Sequence, residues 1–170
     1  MKTQIYVTRK LEKTLSKNIS KEVGTKNQYL GKWSANIFYV SKKKCWLLAN
    51  SRTKYILVLS NIKKNDLKNI SNVFKETFYS QLIYDGIIVD YNLISKIIGE
   101  IELCETDNDR STNSYINYSL LYFKDWKYEF KNYENMPFRD LNNRLNSLPS
   151  KMLNWKRPRE KMDELIKTYA

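Results

Sequence analysis

The sequence predicts an α+β fold: an antiparallel sheet of four to five strands with helices packed on one side, and a helix-rich C-terminal half. Three observations carry this. Apolar and β-branched runs cluster in the first part of the chain and are separated by short polar turns. Beyond them, apolar residues recur at helical spacing. Only four glycines and three prolines interrupt 170 residues, too few for a flexible linker, so residues 1–170 read as one compact domain.

The elements follow in order. Residues 4–8 alternate, with Ile5 and Val7 on one face, and predict a first strand. Leu11, Leu15 and Ile19 recur at helical spacing and predict a short helix on the sheet, followed by a polar loop over residues 24–31. Three strands are expected over residues 35–40, 45–50 and 54–60, joined by polar turns at 41–44 and 50–53. Asn65 is placed to cap a helix with Leu67, Ile70, Phe74, Phe78 and Leu82 on one face, ended by Asp85-Gly86. Asp90 caps a shorter helix carrying Leu93, Ile94, Ile97 and Ile98, and Gly99 occupies the C-terminal glycine position. Ile101, Leu103 and Glu105 alternate as a last strand.

Residues 113–130 carry Ile116, Leu120, Phe123 and Phe130 near helical spacing, with Tyr115, Tyr118, Tyr122, Trp126 and Tyr128 on the other faces. Such a helix, apolar on most sides, is expected to be central and covered. Leu141, Leu145 and Leu148 mark a short helix between Pro137 and Pro149, and Pro158 opens a final helix with Met162, Leu165, Ile166 and Tyr169.

Composition excludes several functions. There is no histidine, which removes Ser-His-Asp and Cys-His catalysis and His-ligated zinc. Glycine-rich phosphate loops, nucleophile elbows and dinucleotide fingerprints are missing too, so no cofactor and no resident metal are expected. Cys45 and Cys104 are isolated in strand-like runs and read as buried, reduced thiols of a cytoplasmic protein. No stretch approaches the roughly 18 to 20 apolar residues of a membrane span, and the first residues lack the apolar core of a signal peptide.

The formal charge of +12 invites a nucleic-acid reading. Its residues are Lys42, Lys43, Lys44 and Arg52, with Lys151, Lys156, Arg157, Arg159 and Lys161 near the end. The competing reading is a solvated basic surface, with the 42–44 cluster a charged hairpin tip that blocks edge pairing. A third function class, a metal-dependent nuclease, rests on Asp107 and Asp109.

Residues 105–117 form the densest polar run in the chain. Within it, Arg110 and Ser111 point either to a bidentate grip on a carboxylate or phosphate, or to a helix start. In the second case Asp109 or Ser111 caps and Arg110 pairs with a nearby acid. Asn142 and Asn146 share a helix face at i,i+4, where amides lock onto buried backbone groups.

Several segments together carry a resemblance: Val7-Thr8-Arg9-Lys10-Leu11; Leu30-Gly31-Lys32-Trp33-Ser34-Ala35-Asn36; Lys44 through Asn50 with Thr53; Arg110-Ser111 with Asn117; and Leu141-Asn142-Asn143-Arg144-Leu145-Asn146 with Pro149 and Pro158. In order and spacing they resemble a family of small bacterial proteins classed only as a domain of unknown function. The family's central motif reads Asn-Arg-Ser-x-x-Gly-x-x-Asn-Asp. Arg110, Ser111 and Asn117 match it, whereas Asp109, Ser114 and Tyr118 depart from it. The resemblance implies a cytoplasmic protein with a partner, in a toxin–antitoxin or phage-conflict setting.

The expected function is therefore binding through a protein partner. Its residues are Arg110, Ser111, Asn113 and Asn117 with Asn36, Asn142 and Arg144, and nucleic-acid binding is the alternative.

Overall fold

The computed structural model describes residues 2–15, 18–20 and 28–170. Residues 24–27 of the expected polar loop lie outside them. The meander forms as its turns predict. β2 (Trp33–Val40), β3 (Lys43–Asn50) and β4 (Ile56–Leu59) pair antiparallel in sequence. β1 (Lys2–Val7) lies beside β2, and β5 (Glu100–Cys104) closes the far side, giving the order β4-β3-β2-β1-β5.

The sheet is mixed rather than purely antiparallel, because β1 runs parallel to both its neighbours. Alternation within a strand identifies its faces but not its direction. Direction follows from the connections, and parallel neighbours require long crossovers. Here β5 reaches β1 only after α2 (Lys64–Lys68), α3 (Ile70–Tyr84) and α4 (Tyr91–Ile98).

Both faces of the sheet are covered, not one. β4 is buried at every position and β3 at all but its first two, the pattern of strands enclosed on both sides. On one face Ile5, Trp33, Trp46 and Leu57 pack with Phe74 and Phe78 of α3, Ile94 and Ile97 of α4, and Met162 and Ile166 of α7 (Pro158–Lys167). The Trp33 ring meets Phe74 and Phe78 edge to face at 5.3 and 5.4 Å, an arrangement that aromatic quadrupoles favour. On the other face Phe38, Leu47, Ile56 and Val58 pack with Ile116 and Phe123 of α5 (Arg110–Phe130) and Leu141 and Leu145 of α6 (Phe138–Asn146).

Other boundaries shift for local reasons. The first helix, α1, covers only Arg9–Glu12, with Leu11 buried within it and Leu15 buried beyond it. The helix expected from Asn65 is divided at Asn69 (φ −124°, ψ 27°). Its true start is Lys63, whose N–H donates to Asp66 at 2.7 Å. Leu148 falls beyond α6 and is exposed. Asp90 accepts from the N–H groups of Asn92 and Leu93 at the head of α4, and Pro158 takes the first turn of α7. No helix among the described residues is long and apolar enough to cross a membrane.

One polar network fixes where α3, α6 and β4 meet. Asp85 follows α3 and is only 4% exposed. Its carboxylate accepts from the Tyr55 hydroxyl (2.5 Å), Gln81 Nε2 (2.9 Å), Asn143 Nδ2 (2.9 Å) and Asn146 Nδ2 (3.3 Å). Burial and the adjacent Asp85 push the Tyr55 phenol well above its usual range, so Tyr55 remains a donor. Asn146 also closes a two-point clamp on β4: its Oδ1 accepts from Ile56 N–H at 2.7 Å and its Nδ2 donates to Ile56 C=O at 2.9 Å. Asn146 thus locks buried backbone groups, as the spacing suggests, whereas Asn142 at i,i+4 donates to the side chain of Gln81 instead.

Removing the acceptor strands several buried donors, each of which carries a desolvation cost. Asp85→Ala, and the isosteric Asp85→Asn, are expected to lower stability by about 3 kcal/mol. Urea unfolding would read this as a lower midpoint at unchanged slope. A midpoint within error of wild type would contradict it.

Candidate functional site

The polar run after β5 is gathered by residues from three other parts of the chain. Asn50, at the end of β3, is fully buried. Its Oδ1 accepts from Arg52 N–H, Thr53 N–H and the Thr53 hydroxyl at 3.0, 3.0 and 3.1 Å, and its Nδ2 donates to Leu30 C=O at 2.9 Å. This holds Lys32 and Lys54 against the head of α5. Lys54 sits in the left-handed region at φ 57°. Its ammonium donates to Ser51 C=O at 2.8 Å and to the Thr112 hydroxyl at 3.2 Å.

Asp109 caps α5, accepting from Thr112 N–H at 3.1 Å and from the Thr112 hydroxyl at 2.8 Å. Thr112 therefore accepts from Lys54 and donates to Asp109. Lys32 pairs with Asp107 and lies 3.4 Å from Asp109, and its ammonium stands 5.5 Å from the centre of the Tyr6 ring.

These contacts set the electrostatics. Burial pushes the Asp109 carboxyl up, but the Thr112 N–H and hydroxyl and the Lys32 charge outweigh it and hold it below the usual carboxylate range. Burial pulls the Lys54 ammonium down; Asp109 opposes this and Lys32 adds to it, leaving Lys54 below its ordinary value. Lys32 is also drawn down by burial, yet Asp107 and Asp109 raise it on balance. Both aspartates thus face lysine, and no group of three His, Cys, Asp or Glu capable of holding a metal occurs among the described residues.

Of the helix-start reading, the cap is present and the ion pair is absent among the described residues. Asp109 caps, while Arg110 is exposed and pairs with no carboxylate among the described residues. At 100° per residue, Arg110, Asn117, Leu121 and Tyr128 lie on one side of α5, opposite its buried Tyr115, Ile116, Ser119 and Phe123. The helix is therefore not covered on most sides. Leu121 is 60%, Tyr128 89% and Tyr118 56% exposed. Tyr118 and Tyr122 also line a cleft of about 290 Å³ with Leu148 and Pro149.

The remaining expected site residues do not join this surface. Asn113 is half-buried and Ser111 exposed on the first turns of α5. Asn36 accepts from the Thr8 hydroxyl at 2.7 Å and ties β1 to β2. Arg144 pairs with Asp140 on α6 at 2.9 Å, and Asn142 is buried beside Gln81.

The basic residues are dispersed as well. Lys42, Lys43 and Lys44 lie at one end of β3, with Lys43 over the Tyr133 ring. Arg52 lies past the other end, roughly 23 Å away for eight extended residues. Lys156 pairs with Glu164, and Arg157 pairs with Glu160 at 3.0 Å and donates to Ser147 C=O. Arg159 is half-buried.

Tyr55, Gln81 and Asp85 are missing from the expected set. A signal for them existed: Gln81 and Asp85, at i,i+4, interrupt the apolar face of a helix otherwise read from its hydrophobic spacing.

Asp109 generates a pH prediction. Its depressed value means that its stabilising contribution is present above the ordinary carboxylate range and is lost as pH falls through the folded value. Asparagine caps equally well but cannot pair with Lys32. The urea-midpoint gap between wild type and Asp109→Asn is therefore expected at pH 7 and should close as pH falls below about 4. A constant gap would argue against it.

No curated protein and no solved structure matches the chain. A family profile described as a domain of unknown function (DUF6933) matches residues 4–161. That match spans the whole sheet from within β1 and every helix up to the middle of α7, so the chain belongs to this family.

Proposed function

We propose that the chain is a binding protein that acts through a protein partner docked on the outward side of α5. The observation carrying this is one helix face on which Arg110, a cation with no carboxylate partner among the described residues, is followed by Asn117, Leu121 and Tyr128, with Tyr118 beside them. Arg and Tyr are the residue types that anchor protein interfaces, and exposed apolar side chains on a continuous face mark a place where water is to be excluded. The exposed guanidinium and the net charge of +12 favour a partner with acidic groups around an apolar centre. A cytoplasmic regulatory role, such as restraint of a toxin or a phage product, is a setting in which such a surface would serve.

The test is a tagged pull-down of the full chain from its native host, with and without nuclease treatment, beside Arg110→Ala and Leu121→Asp. Both residues are exposed, so both variants are expected to fold, and thermal unfolding checks this. The expected result is a protein partner that survives nuclease and is recovered at least about tenfold less with either variant. A partner retained equally by both variants would sink the proposal. So would recovery of nucleic acid whose associated proteins vanish on nuclease treatment, which would move the function to the basic residues.

A further inference from the structure

The free edge of the sheet opens into a groove of about 760 Å³ whose floor is β4. Asn50 N–H donates to Tyr55 C=O, so the β3–β4 ladder continues through the pairs 48/57 and 46/59. Residues 56 and 58 then turn their N–H and C=O groups outward. Asn146 takes both outward groups of Ile56. Val58, the next outward residue, presents its pair to the groove that it lines.

A second acceptor belongs to a residue that lines the same groove. Asp85 and Arg139 C=O both accept from Gln81 Nε2, which turns Gln81 Oε1 toward Asn142. Asn142 must then offer its Nδ2, at 3.1 Å, and its Oδ1 is left over. This oxygen is buried without a hydrogen-bond partner among the described residues, on a residue 2% exposed that lines the groove. Buried carbonyl oxygens in folded proteins are nearly always paired, and an N–H brought to this oxygen would complete its pairing.

We propose that the β4 edge binds an extended peptide segment of another protein as an added strand. Its main chain pairs with Val58 N–H and C=O, and one of its N–H groups donates to Asn142 Oδ1. A donor and an acceptor on a strand edge, with a further acceptor beside them, match the alternating groups of a peptide backbone. The walls select the occupant. Glu76, Thr77 and Tyr84 of α3 rise on one side, and Met136 and Phe138 rise on the other. A single strand fits between them, with an apolar side chain toward Met136 and Phe138. A second copy of this chain would bring its own α3 and α6 against these walls. Asn146 on Ile56 marks where pairing stops. The site is separate from the outward face of α5.

The experiment selects twelve-residue random peptides displayed on phage against the immobilised full chain. An enriched peptide is then synthesised and its affinity measured by fluorescence anisotropy. Val58→Pro removes the outward N–H and leaves the β3 ladder intact, since proline is tolerated where an edge N–H faces away from the sheet. Thr77→Trp fills the groove from the α3 wall and keeps the test open should Val58→Pro fail to fold.

Binding is expected to weaken at least about tenfold in both folded variants. It should weaken similarly when alternate peptide nitrogens carry a methyl group. Three results would overturn the proposal: no enriched sequence, an enriched peptide indifferent to these substitutions or to N-methylation, or a concentration-dependent dimer lost in Val58→Pro.

Discussion

A buried carboxylate with no cation beside it among the described residues governs the arrangement of this fold. Taking Asp85 out of water is tolerable only if fixed dipoles replace its hydration. They come from Tyr55 at the start of the third meander strand, from Gln81 on α3, and from Asn143 and Asn146 on α6. Three elements on different sides of the sheet must therefore assemble together, because a missing donor leaves the charge short and a missing charge leaves the donors short. The network also dictates orientation. Gln81 can satisfy Asp85 with one end only, which fixes Asn142 and leaves its carbonyl without a partner among the described residues.

The second constraint is the double cover of the sheet. Strands buried on both faces give two cores, one rich in aromatic edge contacts around Trp33, the other built on α5 and α6. α5 contributes only one side to its core. Its head is held by a relay from Lys54 through Thr112 to Asp109, reinforced by Lys32. Cap and ion pairs fix the helix by its first turn, so its outward residues are free of structural duty.

How much of this was legible in the residues depends on how local the cause was. The meander could be read because the turns at 41–44 and 50–53 interrupt apolar runs directly. α4 was legible from Asp90 and Gly99, and α7 from Pro158. The parallel direction of β1 was not, since it depends on a partner that arrives after three helices. Asp85 read only as a helix stop, because Tyr55 and Asn146 lie 30 and 61 residues away. At the head of α5, Asp109 could be read as a cap from its neighbours. That Asp107 and Asp109 both pair with Lys32 needed the fold, which brings a residue 75 positions distant to Asp107. Leucines and tyrosines on α5 were expected in the interior because composition alone does not reveal which side of a helix lacks a neighbour.

The place of β1 has a consequence for how the chain comes to be folded. It is the first strand in the sequence, yet it sits between β2 and β5, with Lys2 opposite Glu100 and Tyr6 opposite Cys104. At about 5 to 20 residues per second of synthesis, roughly 100 residues separate its emergence from that of its second partner, a wait of order 5 to 20 s. Through that interval one side of its backbone is an open template beside apolar Ile5 and Val7. Pairings of such sequence separation are slow to close. The nascent chain is thus most exposed to misassociation at β1, and the arrival of β5 ends that exposure.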